Sequence, residues 1–170
     1  MPATEKDLII KLPYRVGLWI SRADDKIGFF DEEVERGRLE AVIERVAKHH
    51  ETSPYVRNIL ANTLKRADQW PDWAAELDTI LADCKVGLQI VKAQSSEEDL
   101  KTYRVVLMQT AVCVAEAFQE DESIPAGMPT FPSANDQGIP ENISKAERKA
   151  LEQLKKALWG TAGKRPASKK

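Results

Sequence analysis

Histidine and cysteine are scarce in this chain, with two of each in 170 residues. Cys84 and Cys113 stand in separate apolar-periodic segments with no CxxC motif. A disulfide framework or thiolate metal site therefore has no local support, and two buried free thiols in a reducing cytoplasm are expected. His49 and His50 are adjacent at an expected helix end, where positive charge suits the helix dipole. No cysteine lies near them in sequence to complete a zinc set. GxSxG, P-loop and GxGxxG motifs are missing, which removes the nucleophile elbow and the common phosphate cradles. An excess of one charge is also missing. With 25 Lys and Arg against 27 Asp and Glu, the net charge is −2. No global basic field would draw nucleic acid to the surface. No apolar run approaches the ~20 residues that span a bilayer. In MPATEKDLII the charge comes before an apolar run that Lys11 and Pro13 soon break, unlike a secretory leader. A cytoplasmic protein is expected.

Strand-like alternation is missing as well, and helical periodicity fills most of the chain. Val16, Trp19, Ile20 and Ala23 keep i, i+3, i+4, i+7 spacing in a first helix, which Pro13 either kinks or opens. Leu39, Val42, Ile43 and Val46 share one face of a second helix, Glu32 to His49, with Asp31 as its N-cap. A third begins near Pro54 behind Ser53 and carries Val56, Ile59, Leu60 and Leu64. A fourth is predicted from Pro71 through Trp73, Leu77, Ile80, Cys84 and Leu88 to Val91. Ser95 with Glu98 fits a capping box for a fifth helix bearing Leu100, Tyr103, Leu107, Ala111, Val114 and Phe118. Ser144 with Glu147 fits another, ahead of Leu151, Leu154, Ala157 and Leu158. The expectation is an all-α, single-domain bundle of six or seven helices over residues 1–160, followed by a disordered basic tail, 161–170. Residues 119–143 hold four prolines and two glycines, which marks an insertion in a compact domain.

A faint two-fold repeat runs through this pattern. Residues 14–46 and 104–158 each read as an apolar helix ending in acids, a loop, and a helix with an early glutamate. Leu39, Val42 and Val46 lie four, seven and eleven residues after Glu35. Leu151, Leu154 and Leu158 lie at the same distances after Glu147.

The carboxylates bear on chemistry. Acids that open a helix stabilise its dipole, which accounts for Asp31, Glu32 and Glu33. Asp24 and Asp25 follow a helix C-terminus, where negative charge is disfavoured, so capping does not explain them. Ca²⁺ and Mg²⁺ take six or more oxygen ligands, and this stretch supplies several carboxylates. An EF-hand does not fit. With Asp24 at loop position one, Glu35 falls at position twelve, but Lys26, Gly28 and Phe29 then occupy positions three, five and six. A cation site and a well-capped connection are both open. Glu35 and Glu147 could also meet as a carboxylate pair for acid–base work, though nothing marks a substrate pocket. Trp19, Trp70, Trp73 and Trp159 are expected in the core or at a groove edge, though Trp70 and Trp73, flanking a helix start, would suit a partner surface if exposed.

The pattern "SRADDKIGFFDEEVE", echoed by "VAEAFQEDES…ISKAERKAL", resembles the TerB-like (tellurite-resistance protein B) family. The glycine expected after the first aspartate is replaced by Asp25, and the second unit has FQED and the insertion. The resemblance implies a cytoplasmic helical domain with no enzymatic activity and a stress, tellurite-resistance or membrane-peripheral scaffold role. It also implies an acidic groove between the repeats that takes a divalent cation (Ca, Mg or Zn). The carried-over ligands are Asp24, Asp25 and Glu35 in the first unit and Glu120, Asp121 and Glu147 in the second. The other expectation is a metal-free adapter that binds a protein partner through residues 119–143.

Overall fold

The computed structural model describes residues 3–23, 32–50, 53–75, 77–117 and 143–160. Among these the protein is entirely helical: α1 (Ala3–Ser21), α2 (Glu32–His49), α3 (Pro54–Lys65), α4 (Trp70–Trp73), α5 (Ile80–Gln94), α6 (Glu97–Ala117) and α7 (Lys145–Trp159). A 3-10 turn, Ala67–Gln69, leads into α4. No described helix is long and apolar enough to cross a membrane.

Helices α1 and α6 form the centre. Every residue from Val105 to Ala115 is buried, so α6 has no solvent face along that stretch. A helix that is buried all round belongs in a core. Helix α1 touches each of the other six helices, and α6 touches all but α4. Helices α2 and α7 each pack on both α1 and α6. That is the arrangement in which two helix–loop–helix units share their first helices as a core.

Pro13 lies inside α1. It has no N–H to donate, so the Ile9 carbonyl four residues back loses its helical partner. The Tyr103 hydroxyl, on α6, donates to that Ile9 oxygen at 2.8 Å. The Thr63 hydroxyl, on α3, reaches the neighbouring Ile10 oxygen at 2.6 Å, closer than its 3.0 Å approach to Ile59 O in its own helix. Two other helices thus supply donors at the proline site.

Close helix approach depends on glycine at two places. A Cβ on Gly17 would lie 2.8 Å from Leu39 Cδ2 and 3.3 Å from Val114 Cγ2, and one on Gly87 would lie 2.5 Å from Leu12 Cδ1. Gly17 lets α1 meet α2 and α6, and Gly87 lets α5 meet α1. Buried Arg15 ties α1 to α5 through a 2.8 Å ion pair with Asp83.

Two expectations are corrected, and one is met at Trp70 and Trp73. The predicted fourth helix is two: α4 ends at Trp73 and α5 begins at Ile80. Asp78 and Thr79 sit just before α5, and such residues favour helix starts over helix interiors. The cap of α6 is Ser96, whose hydroxyl accepts from Asp99 N at 3.0 Å. Ser95 instead closes α5, donating to Val91 O at 2.7 Å. Trp70 and Trp73 are core residues, as expected of most tryptophans. Trp70 stacks on Tyr14 with ring centroids 4.4 Å apart and donates its indole N–H to Thr63 O at 3.1 Å. The capping box of Ser144 and Glu147 is present in full, and both cysteines are free and buried.

Candidate functional site

Glu35 sits in the first turns of α2, four residues before Leu39, and so falls on the same inward stripe as Leu39, Val42 and Val46. The residue is only 2% exposed. A carboxylate buried in that way is costly unless hydrogen bonds or an opposite charge meet it. Both oxygens are met from the end of α1. Ser21 Oγ donates to Oε2 at 2.8 Å, and Arg22 Nη2 donates to Oε1 at 3.1 Å. The Ser21 hydroxyl also approaches Leu18 O at 2.9 Å. Its single proton is therefore divided between the carboxylate and the backbone. The Arg22 side chain is 42% exposed while that of Glu35 is 3% exposed. One partner is in solvent and the other in the core, joined by a single N–H.

This pair borders a cleft of about 250 Å³ between the end of α1, the start of α2 and α4. Tyr14, Leu39 and Trp70 give it an apolar wall, and Arg22, Glu35 and Arg36 give it charge.

Glu147 holds the matching place in α7 and is likewise 2% exposed. Its Oε1 accepts from Ser144 N at 3.2 Å, while its own N–H donates to Ser144 Oγ at 3.1 Å. The register seen in the sequence is preserved: Leu151, Leu154 and Leu158 are buried, as are Leu39, Val42 and Val46.

The helices that carry the two glutamates are not in close contact. No Cα pair between α2 and α7 lies within 8 Å. The reason is topological, since α1 and α6 stand between the two outer helices. Asp24, Asp25, Glu120 and Asp121, the other predicted ligands, lie outside the described residues, as do the cap Asp31 and nearly all of 119–143. Among the described residues no three His, Cys, Asp or Glu side chains cluster as a metal site.

Another polar contact joins the end of α2 to α6. His50 Nε2 lies 2.6 Å from the Oε1 of buried Gln109. His49 packs edge-on against His50, with ring centroids 4.9 Å apart. Burial holds His50 below the ordinary histidine value, with Gln109 opposing that shift and His49 adding to it. Burial also pushes Cys84 up to about 12 and Cys113 up to about 11. Burial raises Glu116 too, against the pull of Arg45.

Sequence reasoning found Glu35 but missed its partners Ser21 and Arg22, and missed Arg36 and the aromatic wall. A basic residue beside a helix end, two residues before an aspartate pair, was the available signal for Arg22. No protein family, curated protein or solved structure matches this chain.

Proposed function

We propose that this chain is a non-catalytic helical binding module of the TerB-like kind, whose first helix–loop–helix unit takes a divalent cation with Glu35 as its buried anchor. The observation that carries this reading is the place of Glu35. It occupies a core position where an aliphatic residue would pack, yet its carboxylate turns to the end of α1, two and three residues before Asp24 and Asp25. Among the described residues, only one N–H of a half-exposed arginine supplies opposite charge there. A divalent cation would neutralise Glu35 together with the aspartates that follow, chemistry that hard oxygen ligands suit.

The test is thermal unfolding of the metal-stripped protein with and without Ca²⁺, Mg²⁺ or Zn²⁺. At tenfold over Kd, a cation that binds only the folded state adds about 1.4 kcal/mol. For a chain of this length that raises the melting temperature by about 4 °C. Asp24→Asn should abolish the shift while leaving the buried Glu35 network in place. If millimolar levels of all three ions leave the wild-type melting temperature unmoved, the cation reading is wrong and Glu35 serves only to join α1 to α2.

A further inference from the structure

The cleft beside Glu35 holds guanidinium donors that the described residues leave unused. Both Glu35 oxygens already accept hydrogen bonds, and Glu33 at the rim is itself engaged. The two arginines are not spent. Arg22 uses one N–H on Glu35 and has no other partner among the described residues. Arg36 is exposed and forms no hydrogen bond or ion pair among them. A guanidinium presents five donors in a planar fork suited to a carboxylate. Among the described residues, the donors left over in the cleft are those of these two arginines.

The rest of the wall is apolar. Trp70 and Tyr14 are locked by their 4.4 Å stack, and Trp70 also by its bond to Thr63 O, so this wall is preformed. A cleft of about 250 Å³ falls just below the ~300 Å³ at which pockets for drug-sized ligands begin. Its occupant is therefore smaller than a drug. We propose that this cleft binds a small organic carboxylate, with its anionic head on Arg36 and Arg22 and a compact apolar body against Pro71 and Ala74, in front of the buried Tyr14–Trp70 stack. The Arg22–Glu35 pair can stay formed, because four Arg22 donors remain. The site therefore does not require the cation proposed above, and the two can fail separately.

The test uses the full chain with a metal chelator present, so that cation binding does not contribute. 3-Phenylpropionate is titrated, followed by its neutral analogue 3-phenylpropionamide, and backbone and indole NMR shifts are followed. The expected result is saturable shifts at Arg36 and Trp70 with the acid, with a Kd in the millimolar range or tighter, and none with the amide. Arg36→Gln should weaken binding about tenfold or more, the worth of one charge-assisted hydrogen bond. Arg36 is exposed, so this change should leave the fold intact. Ala74→Leu, which fills the cleft without altering charge, should abolish binding. Equal binding of acid and amide, no saturable shift with the acid, or full binding by Arg36→Gln would each overturn the proposal.

Discussion

Removing one hydroxyl, in Tyr103→Phe, tests how a proline is held inside the central helix. Tyr103 is fully buried, and burial pushes its phenol well above the ordinary tyrosine value, so it remains a donor at any pH the fold survives. Its hydroxyl donates to Ile9 O, which Pro13 cannot serve. The ring packing is retained in phenylalanine, so the loss is the hydrogen bond alone. A typical intramolecular bond is worth about 1 kcal/mol net, but an acceptor left buried and unpaired costs ~1–3 kcal/mol. With no backbone N–H in reach, the larger cost applies, and about 2 kcal/mol is expected. Pro13→Ala restores an N–H at the position that serves Ile9 O. In that background Tyr103→Phe should cost about 0.5–1 kcal/mol, which gives a coupling energy of at least ~1 kcal/mol. Such a cycle isolates the pair whatever Pro13→Ala does alone. The assay is urea unfolding of the four proteins, read as a shift in midpoint at constant slope. Equal costs of Tyr103→Phe in the two backgrounds would refute the account.

Thr63→Val removes the donor to Ile10 O at nearly constant volume and should cost about 1–2 kcal/mol in the same assay. Gly87→Ala gains up to ~1 kcal/mol of helix propensity but forces a methyl onto Leu12. A net loss of about 1 kcal/mol is expected from overpacking, and a stabilised variant would show that α5 shifts freely. His50 titrates lower in the folded state than in the unfolded chain, so the unfolded state binds more protons just below pH 6.5. Stability should therefore fall as pH drops through that window, and His50→Gln should flatten the slope of melting temperature against pH. Cys84 and Cys113, buried and raised to about 12 and about 11, should react with a thiol reagent only as fast as the protein opens. Fast labelling of the native protein would place either thiol nearer the surface than here.

Much of the fold can be read from spacing, and its misreadings share a cause. The bounds of α2 and α3 follow from a stripe of apolar residues with Pro54 or a loop at the edge. The Ser144 capping box follows from a serine three residues before a glutamate, with no rival pairing nearby. The α4–α5 break is invisible to periodicity, because Trp73 and Ile80 are seven residues apart and keep the same helical phase across it. Ser95–Glu98 and Ser96–Asp99 are overlapping versions of one motif, and only the backbone decides between them. Pro13 was ambiguous for a deeper reason. Whether an interior proline is tolerated depends on donors for the carbonyls it strands. For Ile9 O that donor is Tyr103, 94 residues away in sequence.

Glu35 shows the same limit at the candidate site. Its register with Leu39, Val42 and Val46 already placed it on the core side of α2, so its burial was legible. A buried carboxylate then demands partners, and no periodicity names them. Ser21 and Arg22 meet it only because α1 and α2 cross where Gly17 admits Leu39. Whether Glu35 faces Glu147 is a question of topology. A two-fold repeat can place its equivalent residues across a shared groove or on opposite sides of a shared core, and the sequence pattern is identical in both cases. Here α1 and α6 form the shared core and α2 and α7 lie apart, with no Cα pair within 8 Å. Each glutamate has partners in its own unit: Ser21 and Arg22 meet Glu35, and the Ser144 N–H meets Glu147 in its capping box. For a cation at the first unit this separation has a direct consequence. Changing Glu147 should leave binding at Glu35 untouched, so Glu147→Gln should keep the full cation-induced rise in melting temperature that Asp24→Asn removes. Loss of the rise in Glu147→Gln would mean that the two units act through one site after all.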